Sequence, residues 1–241
     1  MEPKKTHVAV AAPTISVRYL ADYMAGSERK KRTIVSKCKY RPIAPMLQHK
    51  EAAITISSAF RKGTATPDMI KERADFIRGK LATDEFDALT NEVNADYLEQ
   101  FAKVVAQVDL PKAEILPGKS FPALLIHGVK ISFSPSLIFR RTTKTNKLKH
   151  GALMLRYAKG KPLDPVVGCF QSSAIFGLLG EQHDQDGSEP EKALCITLDG
   201  VTGALHSAPG SAISDFANMK AACQTIAERW PNIPAPANAV F

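Results

Sequence analysis

Ala123-Leu-Leu-Ile126, Val129-Lys-Ile-Ser-Phe133, Leu137-Ile-Phe-Arg140 and Leu153-Met-Leu-Arg-Tyr157 are four short apolar runs. Between them lie His127-Gly128, Ser134-Pro135-Ser136 and a linker rich in Lys and Thr. Runs of four or five apolar residues bounded by Gly and Pro read as strands rather than helices, which need ten or more residues to pack a face. Outward toward the C-terminus, 166–179 reads as an apolar helix and 180–191 as an acidic, Gly-containing loop. A fifth strand over 193–198 is apolar enough to be central. Asp199, Gly200 and Gly203 make a hairpin-like turn into 204–207, and Asp215 is placed to cap a last helix carrying Phe216, Met219, Cys223 and Ile226. The Pro- and Ala-rich tail after Pro231 reads as extended.

Outward toward the N-terminus the period changes from strand to helix. Thr14 or Ser16 can cap a helix that stops at Gly26, and Ser27-Glu28 opens a second with Ile34, Val35 and Cys38 on its apolar stripe. A third helix is expected from about 46 to 60 with Gly63 as its stop, and Thr66-Pro67-Asp68 restarts a fourth. Thr83-Asp84-Glu85 starts the longest, whose expected face is Phe86, Leu89, Val93, Tyr97, Phe101, Val104 and Val108, ending at Pro111. The fold expected is therefore α+β: a helical region over 1–112, then a mixed α/β sheet layer over 113–241, with the boundary inside 111–121.

The chain has 241 residues, 44% of them hydrophobic, enough to bury at least one core. Its longest apolar runs fall short of a membrane span. The five residues 8–12 are too few for the core of a secretory signal and read as a loose leader or first strand. Cys38, Cys169, Cys195 and Cys223 are single and widely spaced, which fits buried free thiols in a reducing compartment, hence the cytoplasm, better than zinc or disulfides.

Net charge is +8, unevenly spread. Residues 115–163 hold ten Lys or Arg and no carboxylate, while 164–241 hold three against nine. Such segregation suggests a positive surface. Its members are Lys130, Arg140, Arg141, Lys144, Lys147, Lys149, Arg156, Lys159 and Lys161, joined by the cluster Arg29, Lys30, Lys31, Arg32.

Catalytic motifs are poorly supported. Ala113-Glu-Ile-Leu-Pro-Gly-Lys119-Ser120 resembles a loose phosphate-binding loop, yet Pro117 removes an amide, Pro122 cuts short any helix, and the preceding residues read as helical. No G-x-S-x-G is present, so Ser172 and Ser173 in an apolar helix read as packing residues. The six histidines never fall two per helical turn. Glu181, Asp184 and Asp186 around His183 offer at best a weak cation site.

In its second half, a run of strands, an apolar helix, a further strand and a closing helix resembles the core of the PD-(D/E)XK restriction-endonuclease-like superfamily. The resemblance spans about residues 113–230 and is one of element order. Ser134-Pro135-Ser136-Leu137 falls where that superfamily carries Pro-Asp, 151–155 where it carries acid-x-Lys, and Gln171 where some members keep a Gln in the following helix. The departure is chemical: the paired carboxylates that would hold Mg²⁺ are missing from 115–163, with only Glu114 and Asp164 flanking. The resemblance thus implies a metal-free relative of a nuclease core.

The function expected from these readings is non-enzymatic nucleic-acid binding by a bacterial or phage-type protein, with phosphate contacts from the thirteen Lys and Arg residues named above and no cofactor, metal or membrane. Tyr157, Phe133 and Phe139 interleave with the basic residues, so base stacking is conceivable, though period 2 turns alternate aromatics to the core. The alternatives are a protein-interaction subunit or homo-oligomer, or an active metal-dependent nuclease with its acids elsewhere.

Overall fold

The computed structural model describes residues 5–43, 49–182 and 187–241. In chain order, β1 (His7–Ala9) and β2 (Thr14–Ser16) precede α1 (Val17–Met24) and α2 (Glu28–Lys39), followed by β3 (Tyr40–Pro42). Next come α3 (Lys50–Lys62), α4 (Pro67–Arg78) and α5 (Glu85–Ala102). Five strands follow: β4 (Glu114–Pro117), β5 (Phe121–Ile126), β6 (Val129–Phe133), β7 (Leu137–Thr142) and β8 (Leu148–Arg156). Then α6 (Pro165–Glu181), β9 (Glu189–Pro190), β10 (Ile196–Asp199), β11 (Leu205–Ser207) and α7 (Ala212–Arg229) complete the order. The α+β expectation holds.

The main sheet runs β11-β10-β8-β7-β4, with β9 beside the first residues of β8. Within this sheet, among the described residues, β8 is parallel to β10 and to β9 and the other pairs are antiparallel, and α6 makes the crossover from β8 to β10. A second sheet, β2-β6-β5, and a pair, β1-β3, stand apart from it. Strand alternation divides the core in two. Ala152 and Cys195 face α1, α2, α6 and α7 in one cluster, while Leu153, Phe139, Ile196 and Leu198 face α3, α4 and α5 in the other. Both clusters mix residues from either side of position 112, so the helical region and the sheet layer share their cores.

Helix starts follow the sequence signals closely. Ser16, Ser27, Thr66 and Asp84 each accept a backbone N–H with the side chain, and Gly63 closes α3 in the left-handed region at φ 67°. Strand β4 over Glu114–Pro117, which no sequence signal announces, pairs with β7. Three expectations need correction. Helix α5 ends at Ala102, and Phe86 and Leu89 are exposed while Asn94, Tyr97, Leu98 and Phe101 are buried, because the packed face is fixed by α4 and the sheet. Helix α7 begins at Ala212, so Asp215 lies in its first turn, accepting from Ser211 and Ser173 hydroxyls. The start expected for α3 at 46–48 lies outside the described residues, as does His183-Asp184-Gln185-Asp186.

The thiols have different fates. Cys38, Cys195 and Cys223 are buried, and burial pushes their pKa up to about 11, 12 and 12. Cys169 is only half-buried. Ellman's reagent is expected to titrate one thiol promptly in the native protein and all four after denaturation.

Two imidazoles are held below their ordinary pKa, both chiefly by burial: His49 and His206. His49 lies edge-on to the rings of Tyr157 and Tyr97, 4.8 and 5.7 Å between centroids. His206 Nε2 is buried without a hydrogen bond among the described residues. Because the folded pKa lies below the unfolded value, the unfolded chain binds the proton more readily. Stability is thus full above about pH 6.5 and is lost as pH falls toward the folded pKa values. The melting temperature is expected to drop through this range, and less steeply for H49Q/H206Q.

Candidate nucleic-acid interface

Helix α2 carries Arg29, Lys30, Lys31, Arg32, Lys37 and Lys39 in twelve residues, with Glu28 as its one acid. Ile34, Val35 and Cys38 sink into the core and leave these cations on the remaining faces. The C-terminal end of the chain is bound alongside. Lys39 Nζ donates to the carbonyl oxygens of Trp230, Pro231 and Ile233 at 2.7, 3.1 and 3.2 Å, a cation placed on the exposed carbonyls after α7. Tyr40 Oη donates to the Ile233 carbonyl at 2.8 Å, and Trp230 Nε1 donates to Val10 and Ala11 carbonyls.

This docking leaves a groove of about 830 Å³ between α2, α7 and the tail. Among the described residues, Lys31, Arg32, Lys37 and Arg229 line it against one carboxylate, Glu228, over apolar Val35, Ile226, Ile233 and Pro234. Glu28, outside the groove lining, pairs with Lys31 at 3.0 Å and Arg229 at 3.6 Å, and the hydrogen bond that it accepts from Lys31 holds its pKa below the usual range. Lys31 Nζ lies 5.5 Å above the buried Tyr23 ring, whose pKa is raised by burial. Arg29, Lys30, Arg32 and Lys37 are exposed and make no ion pair among the described residues.

The basic stretch 130–161 does not form one patch. Lys144 and Lys147 lie in the turn joining β7 to β8, and Lys159 and Lys161 follow the far end of β8, nine strand residues or about 30 Å away. Lys130 stands on the exposed face of β6 in the other sheet. Arg140 is half-buried on β7 opposite Glu114. Arg141 is held by both carboxylate oxygens of Glu191, Lys149 pairs with Glu189 at 2.5 Å, and Lys159 with Asp96 at 2.6 Å. The acidic loop therefore neutralises part of the basic stretch within one chain.

Arg156 corrects the expectation most plainly, since its side chain is only 8% exposed and points inward. Its guanidinium donates to Asp22 Oδ1 at 2.8 Å, Gln171 Oε1 at 3.2 Å and the Arg18 carbonyl at 3.3 Å. Burial and the Arg18 charge pull its pKa down while Asp22 opposes them. A strand end facing α1 and α6 leaves no route to a phosphate. The aromatics are likewise internal: Phe133 and Phe139 are buried, and Tyr157 stacks on Tyr97 at 3.8 Å, so none offers a face to a base.

Glu114 and Asp164 lie apart from each other's chemistry, Glu114 exposed on β4 and Asp164 capping α6 through the Val166 N–H. Among the described residues no three His, Cys, Asp or Glu side chains gather where a metal ion could be held. Nor is any described helix long and apolar enough to cross a membrane. The groove itself was not legible in the sequence, because Arg229 and Ile233 meet α2 only through the fold; Lys39 gave no local signal of its three carbonyl partners. Comparison with protein-family models, curated proteins and solved structures finds no match.

Proposed function

We propose that this protein binds nucleic acid without acting on it, using α2 and the groove beside it to contact phosphates. The observation that carries the reading is the excess of Lys31, Arg32, Lys37 and Arg229 over Glu228 in one concave surface, with Arg29 and Lys30 exposed next to it. The absence of carboxylates from 115–163 supports a role that does not use metal-assisted cleavage. Four free thiols suit the reducing cytoplasm.

The test is a fluorescence-anisotropy titration of labelled oligothymidylate and of a labelled duplex at two salt concentrations. Reversal of Arg29, Lys30, Arg32 and Lys37 to Glu is expected to weaken binding and flatten the salt slope by roughly three units, about 0.7–0.9 per phosphate contact. Reversal of Lys71 and Arg73 on α4 is expected to change little. Equal losses from both sets, or salt-independent binding, would defeat the proposal. A second reading, docking of an acidic protein segment, is favoured by the apolar groove floor; tighter binding of a polyglutamate peptide than of either nucleic acid would establish it instead.

A further inference from the structure

A second concave site lies on the opposite layer. Along α3, Lys50, Ala53, Ser57, Ser58 and Arg61 recur at helical spacing and face one way. They meet Pro117 at the end of β4 and Ser134-Pro135-Ser136 leading into β7, enclosing a cleft of about 460 Å³. Its far wall is fixed by backbone contacts. Gly118 N–H donates to the Ser136 carbonyl at 3.2 Å, Ser136 N–H to the Leu153 carbonyl at 2.8 Å, and a Cβ on Gly118 would sit 2.0 Å from the Pro135 oxygen.

The polar groups in this cleft are hydroxyls and cations. Ser57 donates to the Ala53 carbonyl and Ser134 shares a hydrogen bond with Ser120, whereas Ser58 and Ser136 make none among the described residues. Lys50 and Arg61 are exposed and make no ion pair among the described residues, and none of the described carboxylates lines the cleft. Hydroxyl donors flanked by uncompensated cations suit an oxyanion and repel a metal ion. The two cations stand eleven residues apart, about 16 Å along the helix axis, too far to close on one small ion and suited to separate phosphates, with nucleotides between them, of an extended strand.

Resting on the nucleic-acid reading, we infer that this cleft is a second phosphate site, holding the phosphodiester backbone of the bound strand between Lys50 and Arg61, with Ser58 and Ser136 donating to phosphate oxygens. The test measures labelled oligothymidylate binding by K50A/R61A, alongside amide NMR shifts of Ser58 and Ser136 on adding oligothymidylate or inorganic phosphate. Loss of two charge-assisted contacts is expected to weaken oligonucleotide binding about tenfold or more, with an unchanged melting temperature and a shift of both serine amides. Parent-like binding by K50A/R61A, while the α2 reversal still abolishes it, would overturn the cleft and leave the proposed function standing. Serine shifts with inorganic phosphate but none with oligothymidylate would overturn the backbone assignment in favour of a free phosphate. Silence to both probes, with no oligonucleotide binding by the parent, would overturn cleft and function together.

Discussion

Replacing Asp22 with Ala is expected to destabilise the fold by about 3 kcal/mol, because it strands the buried Arg156 guanidinium without its anion. Asp22 sits on α1 and Arg156 at the end of β8, 2.8 Å apart, with side chains 18% and 8% exposed. The remaining partners, the Gln171 amide oxygen and the Arg18 carbonyl, are neutral dipoles and cannot balance a full charge in a poorly solvated site. The partial exposure of Asp22 places the loss at the lower end of the range for broken buried pairs. Urea denaturation gives the number, and D22A/R156M is the control: removing both charges should recover much of the loss. Additive losses in the double variant would mean that the pair is not what fixes α1 to the sheet.

Asp199 should be almost as costly to lose. At 2% exposure its carboxylate accepts from the Leu163 and Val201 N–H groups at 3.0 Å each and from the Thr202 hydroxyl at 2.6 Å. It ties the turn after β10 to the loop before α6, and the Gly203 N–H bonds to its carbonyl at 2.8 Å. Asp199→Ala leaves three donors short of an acceptor, at about 1 kcal/mol or more each, or about 3 kcal/mol together. Asp199→Asn keeps one side-chain acceptor oxygen, which in the place of Oδ2 still serves Leu163 and Thr202, and should lose about a third as much by the same count. A D199A loss under 1 kcal/mol in urea titrations would show that water replaces the carboxylate.

The helical half was legible because its signals are local. Ser27 before Glu28, Thr66 before Pro67 and Asp84 before Glu85 each cap the helix that they announce, since a cap is a hydrogen bond between residues three apart. The runs at 129–133 and 137–140 were strands for the same reason: alternation and bounding turns act within a few residues. Strand β4 was missed because four residues with Pro117 at their end carry too little pattern, and their identity is fixed by pairing with β7.

The candidate sites depended on distance in space. Counting charges along 115–163 saw ten cations without an anion, yet Glu189 and Glu191 arrive through the loop after α6 and pair with Lys149 and Arg141, forty and fifty residues away. Arg156 counted as a surface cation until the fold set it between α1 and α6. By itself, the sequence determined the α+β class, the starts of α1, α2, α4 and α5, the single thiols and the absence of carboxylates from 115–163, all properties of neighbours in the chain. Only the tertiary structure decided which cations remain exposed, because the field at a surface is the sum of all nearby charges, and proximity there is set by packing.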